Sequence, residues 1–317
     1  MGRAQLVVAL GNLLDSLARE DQFSGVVLLA DGDTAVFERA YGFADREARR
    51  PNTPDTRFNI GSVNKAFTAA AIRQLAAEGR LSLDDRLIRY LPDYPNRAVA
   101  VQVTLRQLLE HTAGIGGNIF GEPPGGTRAQ LRTNADFIPL FAAEPPAFAP
   151  GTSRRYCNAC YVLLGAVIER VSGRSYYEYV REHIFRPAGM DATDSYAIDS
   201  LPPNTAVGYT RGGPGAPGGG PLRRNTAMLP GRGSAAGGGY STARDLLRFA
   251  TAARQARISG TPPGGLGVAG GAPGVNAVLE SGLAGRYTLV VLANMDPPIA
   301  EEIGRQVRLW LGAGDEP

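Results

Sequence analysis

The chain has 317 residues, 44% of them hydrophobic, and its 33 basic and 30 acidic side chains leave a formal charge of +3. That length and apolar content support one large domain, or two unequal lobes, around a sizeable core. The small net charge without a long Lys/Arg run argues against nucleic acid or membrane as a partner, and no stretch reaches the ~18 apolar residues of a membrane span.

Leu6, Leu10, Leu13, Leu14 and Leu17 fall at helical spacing and predict an amphipathic surface helix over the first 20 residues. The apolar run there is short and broken at Gly11-Asn12, unlike a secretory leader, so a cytoplasmic location is expected. Gly25 to Ala30 reads as a buried strand, Asp31-Gly32-Asp33 as a tight turn, and Thr34 to Gly42 as the returning strand of a hairpin. The Ala-rich run from Ser62 to Glu78 predicts a helix that stops at Gly79. Further helices are predicted at Leu105–Glu110 behind a Thr104 cap, and at Asn158–Val171 ahead of Gly173. Ser175-Tyr176-Tyr177-Glu178 is a capping box opening a helix to about Phe185, and Thr242 starts another through Ala256. Gly/Pro-rich stretches over 211–221 and 258–274 read as loops. Asn276–Ser281 and Arg286–Asn294 are strand-like, and Ile303, Val307 and Leu311 mark a last helix over Ile299–Leu311.

Strands at both ends with helices between predict an α+β fold. One antiparallel sheet forms from the N- and C-terminal strands, flanked by helices, and a mostly helical lobe is inserted. The expected layout is a single domain over 1–317, with residues 1–60 and 236–317 in the sheet lobe and 61–235 in the helical lobe.

Lys65 is the only lysine; the other basic residues are all arginine. Arginine does not give up its proton, whereas a desolvated lysine does. Lys65 lies three residues after Ser62, and in a helix that spacing stacks the amine over the hydroxyl. A serine at a helix start, with a base beside it and free backbone N–H groups, has the parts of a nucleophile. The plainer reading is a capping serine and a solvated lysine. In Tyr156-Cys157-Asn158, the tyrosine at a helix entrance could share a proton with Lys65, its phenolate favoured by the cation. Asn158 could hold Lys65 or bind a substrate carbonyl. Taken alone, Tyr156 also fits a packed aromatic. Cys157 and Cys160 cannot build a disulfide framework or a zinc ribbon and read as small buried residues; no metal or organic cofactor is expected. His111 reads as structural at a helix C-terminus. No Gly-x-Ser-x-Gly elbow occurs, which argues against an α/β-hydrolase triad.

Together, Ser62-Val63-Asn64-Lys65 and Tyr156-Cys157-Asn158 resemble the active-site set of the beta-lactamase-related serine hydrolases, which include class C beta-lactamases, DD-peptidases and family VIII carboxylesterases. The runs Leu108 to Gly114, Pro150-Gly151-Thr152, Leu163-Leu164-Gly165 and Ala236 to Leu246 are similar too, so the resemblance extends from about residue 20 to 312. It implies that fold, with the site between sheet and helical lobe. It further implies Ser62 as acylated nucleophile, Lys65 and Tyr156 as the base system, and Asn158 as a substrate-orienting group. The Ser62 backbone N–H would be half of an oxyanion hole. The family's third motif corresponds to residues 267–274. There Val268 stands where Lys or His is usual, Gly270 follows, and Gly271 would be the second oxyanion donor. A strand usually precedes that motif, whereas 261–267 reads as a short loop. The implied activity is acyl-enzyme hydrolysis of small or short-chain carboxylic esters, with weak beta-lactam hydrolysis. The alternatives are a D-amino-acid peptidase or amidase and a catalytically silent binding protein. The expected partner is a small-molecule ester or amide; the sequence specifies no oligomeric state.

Overall fold

The computed structural model describes residues 1–212, 220–261 and 265–312. Its main sheet has five strands: β1 Gly25–Asp31, β2 Thr34–Tyr41, β3 Gly267–Ala272, β4 Val275–Leu283 and β5 Tyr287–Ala293. They lie in the order β2-β1-β5-β4-β3, every pair antiparallel. The two chain ends therefore meet in the middle of the sheet, with Val27 opposite Val291.

The unbroken apolar run of β1 has a direct cause: both faces of the strand are covered. Val27 and Leu29 face a cluster with Leu6, Leu10 and Leu14 of α1 (Arg3–Arg19) and Ile303 and Val307 of the last helix. Val26, Leu28 and Ala30 face the larger core that runs into the helical lobe. There Phe67 of α2 (Lys65–Ala77) packs edge-on against Phe185 and Phe249. Around it stand α3 (Leu105–Leu109), α4 (Asn158–Ser172), α5 (Tyr176–Val180) and α6 (Ala243–Arg254), each opened by a side-chain cap from Thr104, Cys157, Ser175 and Thr242 respectively. The C-terminal helix, α7, spans Ile299–Leu311 as predicted. No helix among the described residues is long and apolar enough to cross a membrane.

Two expectations change. The stretch read as a loop over 258–274 contains β3, the edge strand, although residues 262–264 of the short segment before it lie outside the described residues. Glycine carries little strand preference, so this Gly-rich strand owes its shape to pairing with β4. Cys157 and Cys160, read as small buried residues, are bonded to each other across the first turn of α4.

Leu10, fully buried between α1 and the sheet, and Val8, 61% exposed on the same helix, make a controlled pair. Leu10→Ala is expected to cost about 2–5 kcal/mol in urea unfolding and Val8→Ala less than about 0.5 kcal/mol. Equal losses would show that α1 does not seal that face.

Candidate active site

The site begins with a glycine. Gly61 has φ +50°, in the left-handed region, and donates its N–H to Asn59 Oδ1 at 2.9 Å. This starts a single 3₁₀ turn, Gly61–Asn64, and α2 begins only at Lys65. Ser62 thus sits in a 3₁₀ turn and not in the first turn of an α-helix. With three residues per turn, positions i and i+3 eclipse, and Lys65 Nζ lies 3.1 Å from Ser62 Oγ. Among the described residues the Ser62 N–H has no backbone acceptor.

Lys65 is only 6% exposed. Besides Ser62, its Nζ donates to Asn158 Oδ1 at 2.7 Å and to the Ala236 carbonyl at 2.5 Å. Those two oxygens can only accept, whereas a serine hydroxyl can also donate. A neutral amine has two N–H donors and one lone pair. It satisfies all three partners if the Ser62 hydroxyl gives its hydrogen to the nitrogen. Burial favours that state and holds the amine at about 7, far below the ordinary lysine value.

The carbonyl at Lys65 is itself held in place. Asn64 Nδ2 donates to Ser234 O at 3.2 Å, Thr68 Oγ1 to Ala235 O at 2.7 Å, and Lys65 to Ala236 O. Three consecutive carbonyls are therefore bound by one face of the 3₁₀ turn and α2. Asn134 Oδ1 accepts from the Ala235 N–H behind them at 2.9 Å. Sequence reading missed this clamp because its acceptors are backbone atoms; the polar pair Asn64 and Thr68, both buried, was the available sign.

Asn158 is the first residue of α4, and Tyr156 precedes the Cys157 cap. Tyr156 is 57% exposed, and Lys65 Nζ lies 4.8 Å from its ring centroid. Burial of the phenol raises its pKa, partly opposed by its contact with Ser62. This runs against the expected phenolate: partial burial shifts the phenol away from ionising, and the Lys65 amine faces its ring. His111 stacks on Tyr156 with centroids 4.9 Å apart and accepts the Cys157 N–H on Nδ1 at 3.1 Å. Burial, with help from Lys65 and Arg154, lowers its pKa to about 4, so it buttresses Tyr156 as a neutral ring.

Strand β3 closes the other side. Gly270 packs so tightly that a Cβ there would lie 2.2 Å from Ile60 O and 2.6 Å from Ser62 N. Pro273-Gly274 is a two-residue turn between the paired residues Ala272 and Val275. In the antiparallel alternation, the next pair, Gly271 and Asn276, is non-hydrogen-bonded, so the Gly271 N–H points off the sheet edge. A Cβ on Gly61 would come within 3.2 Å of that nitrogen, which places it beside the Ser62 turn. Val268 behaves differently. It pairs with Leu279 and packs against the main core, and it is not among the residues lining the cleft.

That cleft holds a cavity of about 110 Å³. Its floor is Ser62, Asn158, Ala236 and Gly271, and its wall is Ile119, Phe120, Phe137, Met228, Leu229 and Pro230. The wall residues come from loops and from the ends of short helical turns at Phe137 and Met228, none long enough to carry a periodicity, so the sequence did not single them out. Among the described residues no group of three His, Cys, Asp or Glu side chains gathers as a metal site.

A family model described as Beta-lactamase matches residues 10–284. Penicillin-binding protein 4* of Bacillus subtilis (strain 168) is 33% identical over 189 residues, which cover 59% of this chain and 41% of that protein. Esterase EstB of Burkholderia gladioli is 33% identical over 298 residues, covering 88% of this chain and 70% of EstB. The penicillin binding protein structure from Bacillus halodurans superposes with a TM-score of 0.82 at 31% identity, covering 94% of this chain and 98% of that one. The chain spans less than half the length of the first of these relatives.

The depressed Lys65 pKa ties stability to pH. An unfolded lysine binds its proton up to about 10.5, the folded one only up to about 7, so folding becomes more favourable as pH rises between those values. Relative to Lys65→Met, the wild-type protein should gain up to about 1.4 kcal/mol per pH unit between pH 7 and 9 in urea unfolding. A difference independent of pH would mean that the folded amine stays charged.

Proposed function

The chain belongs to the Beta-lactamase family of serine hydrolases, and from that premise we propose that it cleaves small or short-chain carboxylic esters through an acyl-enzyme on Ser62. The observation that carries this reading is the buried Lys65 amine, its pKa lowered to about 7, lying 3.1 Å from the Ser62 hydroxyl. A general base works best with a pKa near the operating pH.

Ser62 Oγ attacks the ester carbonyl carbon and its proton passes to Lys65 Nζ. The carbonyl oxygen takes the electron pair and is held by the Ser62 and Gly271 N–H groups. As the intermediate collapses, the C–O bond breaks and the proton moves from Lys65, by way of the Tyr156 hydroxyl, to the departing alkoxide. Water then attacks the acyl-enzyme, giving its proton to Lys65, and that proton returns to Ser62 Oγ as the acid leaves. Asn158 and the Ala236 carbonyl hold the amine throughout.

Two features favour esters over beta-lactams. Apart from Arg128 the loop wall of the cleft is apolar, and β3 carries Val268 in place of a cationic side chain, so a beta-lactam carboxylate finds no counter-charge on that strand. Similarity to EstB supports the same choice. A D-amino-acid peptidase or amidase is the second reading, favoured by the similarity to penicillin-binding proteins.

Intact-mass analysis after a p-nitrophenyl ester or a fluorophosphonate should show one adduct, on Ser62, that is absent in Ser62→Ala. Lys65→Arg, which keeps the charge but cannot act as base, should lose at least about 10³-fold in turnover. An adduct elsewhere, or an active Lys65→Arg, would sink the mechanism. Because the base must be neutral, kcat/KM should rise with pH through about 7 and then level off; a rate that falls across that range contradicts the assignment.

A further inference from the structure

Among the described residues, Arg128 is the only charged side chain that lines the cleft beside Ser62. It is half-buried. Its Nε donates to Met228 O at 2.8 Å, and its Nη1 donates to Gly121 O at 2.8 Å and Ile119 O at 3.3 Å. Those bonds tie two loops of the apolar wall together. Nη2 makes no hydrogen bond among the described residues, and no carboxylate there lies within ion-pair distance of the guanidinium. Glu122 acts on it only as a more distant charge. A guanidinium presents a planar fork suited to carboxylates, and a half-buried cation with no counter-ion gains most from acquiring one.

The side of the reaction it serves follows from the proton path. Lys65 and Tyr156, which return the proton to the leaving group, do not line this cavity. The leaving group therefore departs towards Tyr156, and the cavity holds the acyl part. Resting on the ester-hydrolase reading above, we propose that Arg128 is a specificity-determining residue that binds a carboxylate at the far end of the acyl chain. The preferred substrates are then esters of short dicarboxylic acids, whose methylenes lie on Ile119, Phe137 and Leu229. Where β3 offers Val268, the cation stands on the opposite wall.

The test compares the p-nitrophenyl monoester of glutaric acid with p-nitrophenyl pentanoate, of similar length and neutral. The ratio of their kcat/KM values, anionic over neutral, should fall about 10- to 100-fold in Arg128→Met, mainly through KM, and less in Arg128→Lys. If both esters lose rate in the same proportion, Arg128 is only a loop clamp and the proposal is wrong. A binding arm uses glutaramic acid, which carries one carboxylate, against its neutral near-isostere glutaramide, read as thermal shifts of the wild-type protein. The acid should stabilise at concentrations where the amide does not; equal shifts overturn the proposal. This arm needs no variant, so it decides even if Arg128→Met fails to fold. If wild type hydrolyses neither ester, the ester-hydrolase reading falls, while the binding arm still tests the anion site by itself.

Discussion

A lysine amine taken out of water, with two fixed acceptors and one hydroxyl around it, is the constraint on which the rest of this site depends. Burying a charged ammonium is expensive, and the protein meets that expense by letting the group lose its proton. The neutral amine then needs a donor for its lone pair, and the only partner able to supply one is the Ser62 hydroxyl. Desolvation thus sets the protonation state and also aims the serine's hydrogen at its base. No metal or distant charge is required for either effect.

Holding those partners takes contributions from separated parts of the chain. Asn158 comes from the start of α4, where the Cys157–Cys160 bond spans the same turn. The Ala236 carbonyl comes from a loop gripped by Asn64, Thr68 and Asn134. The side that carries Gly271 comes from an edge strand pressed against Ser62 through Gly61 and Gly270; a methyl group on Gly270 would collide with backbone. That edge strand is ordered by its pairing with β4, in a sheet whose central strands come from opposite ends of the chain. A core residue near either end of the chain therefore supports the geometry around Ser62 at a distance.

The two walls of the cleft differ in chemistry. The sheet side offers glycine backbone at Gly271 and no charge, with Val268 turned into the core. The loop side offers apolar side chains and one guanidinium. In the proposed mechanism a substrate is polarised at its carbonyl by backbone N–H groups and distinguished by what it carries on the opposite side.

By itself the sequence determined the parts that depend on local order. The lone Lys65 three residues after Ser62 was legible because any helical turn stacks such a pair. The hairpin of β1 and β2, the C-terminal end of α4 and the span of α7 were legible because apolar periodicity and a glycine stop such as Gly173 act within a few residues. Tertiary structure alone decided the rest. Ala236 serves through a carbonyl that every residue possesses, so its side chain announces nothing. Strand β3 is too rich in glycine to declare itself and exists because β4 lies beside it. Val268, expected at the site, does not line the cleft, whereas Arg128, which no motif singled out, does, because which residues line a cleft depends on how segments far apart in the chain fold back over Ser62, and no local pattern encodes that distance.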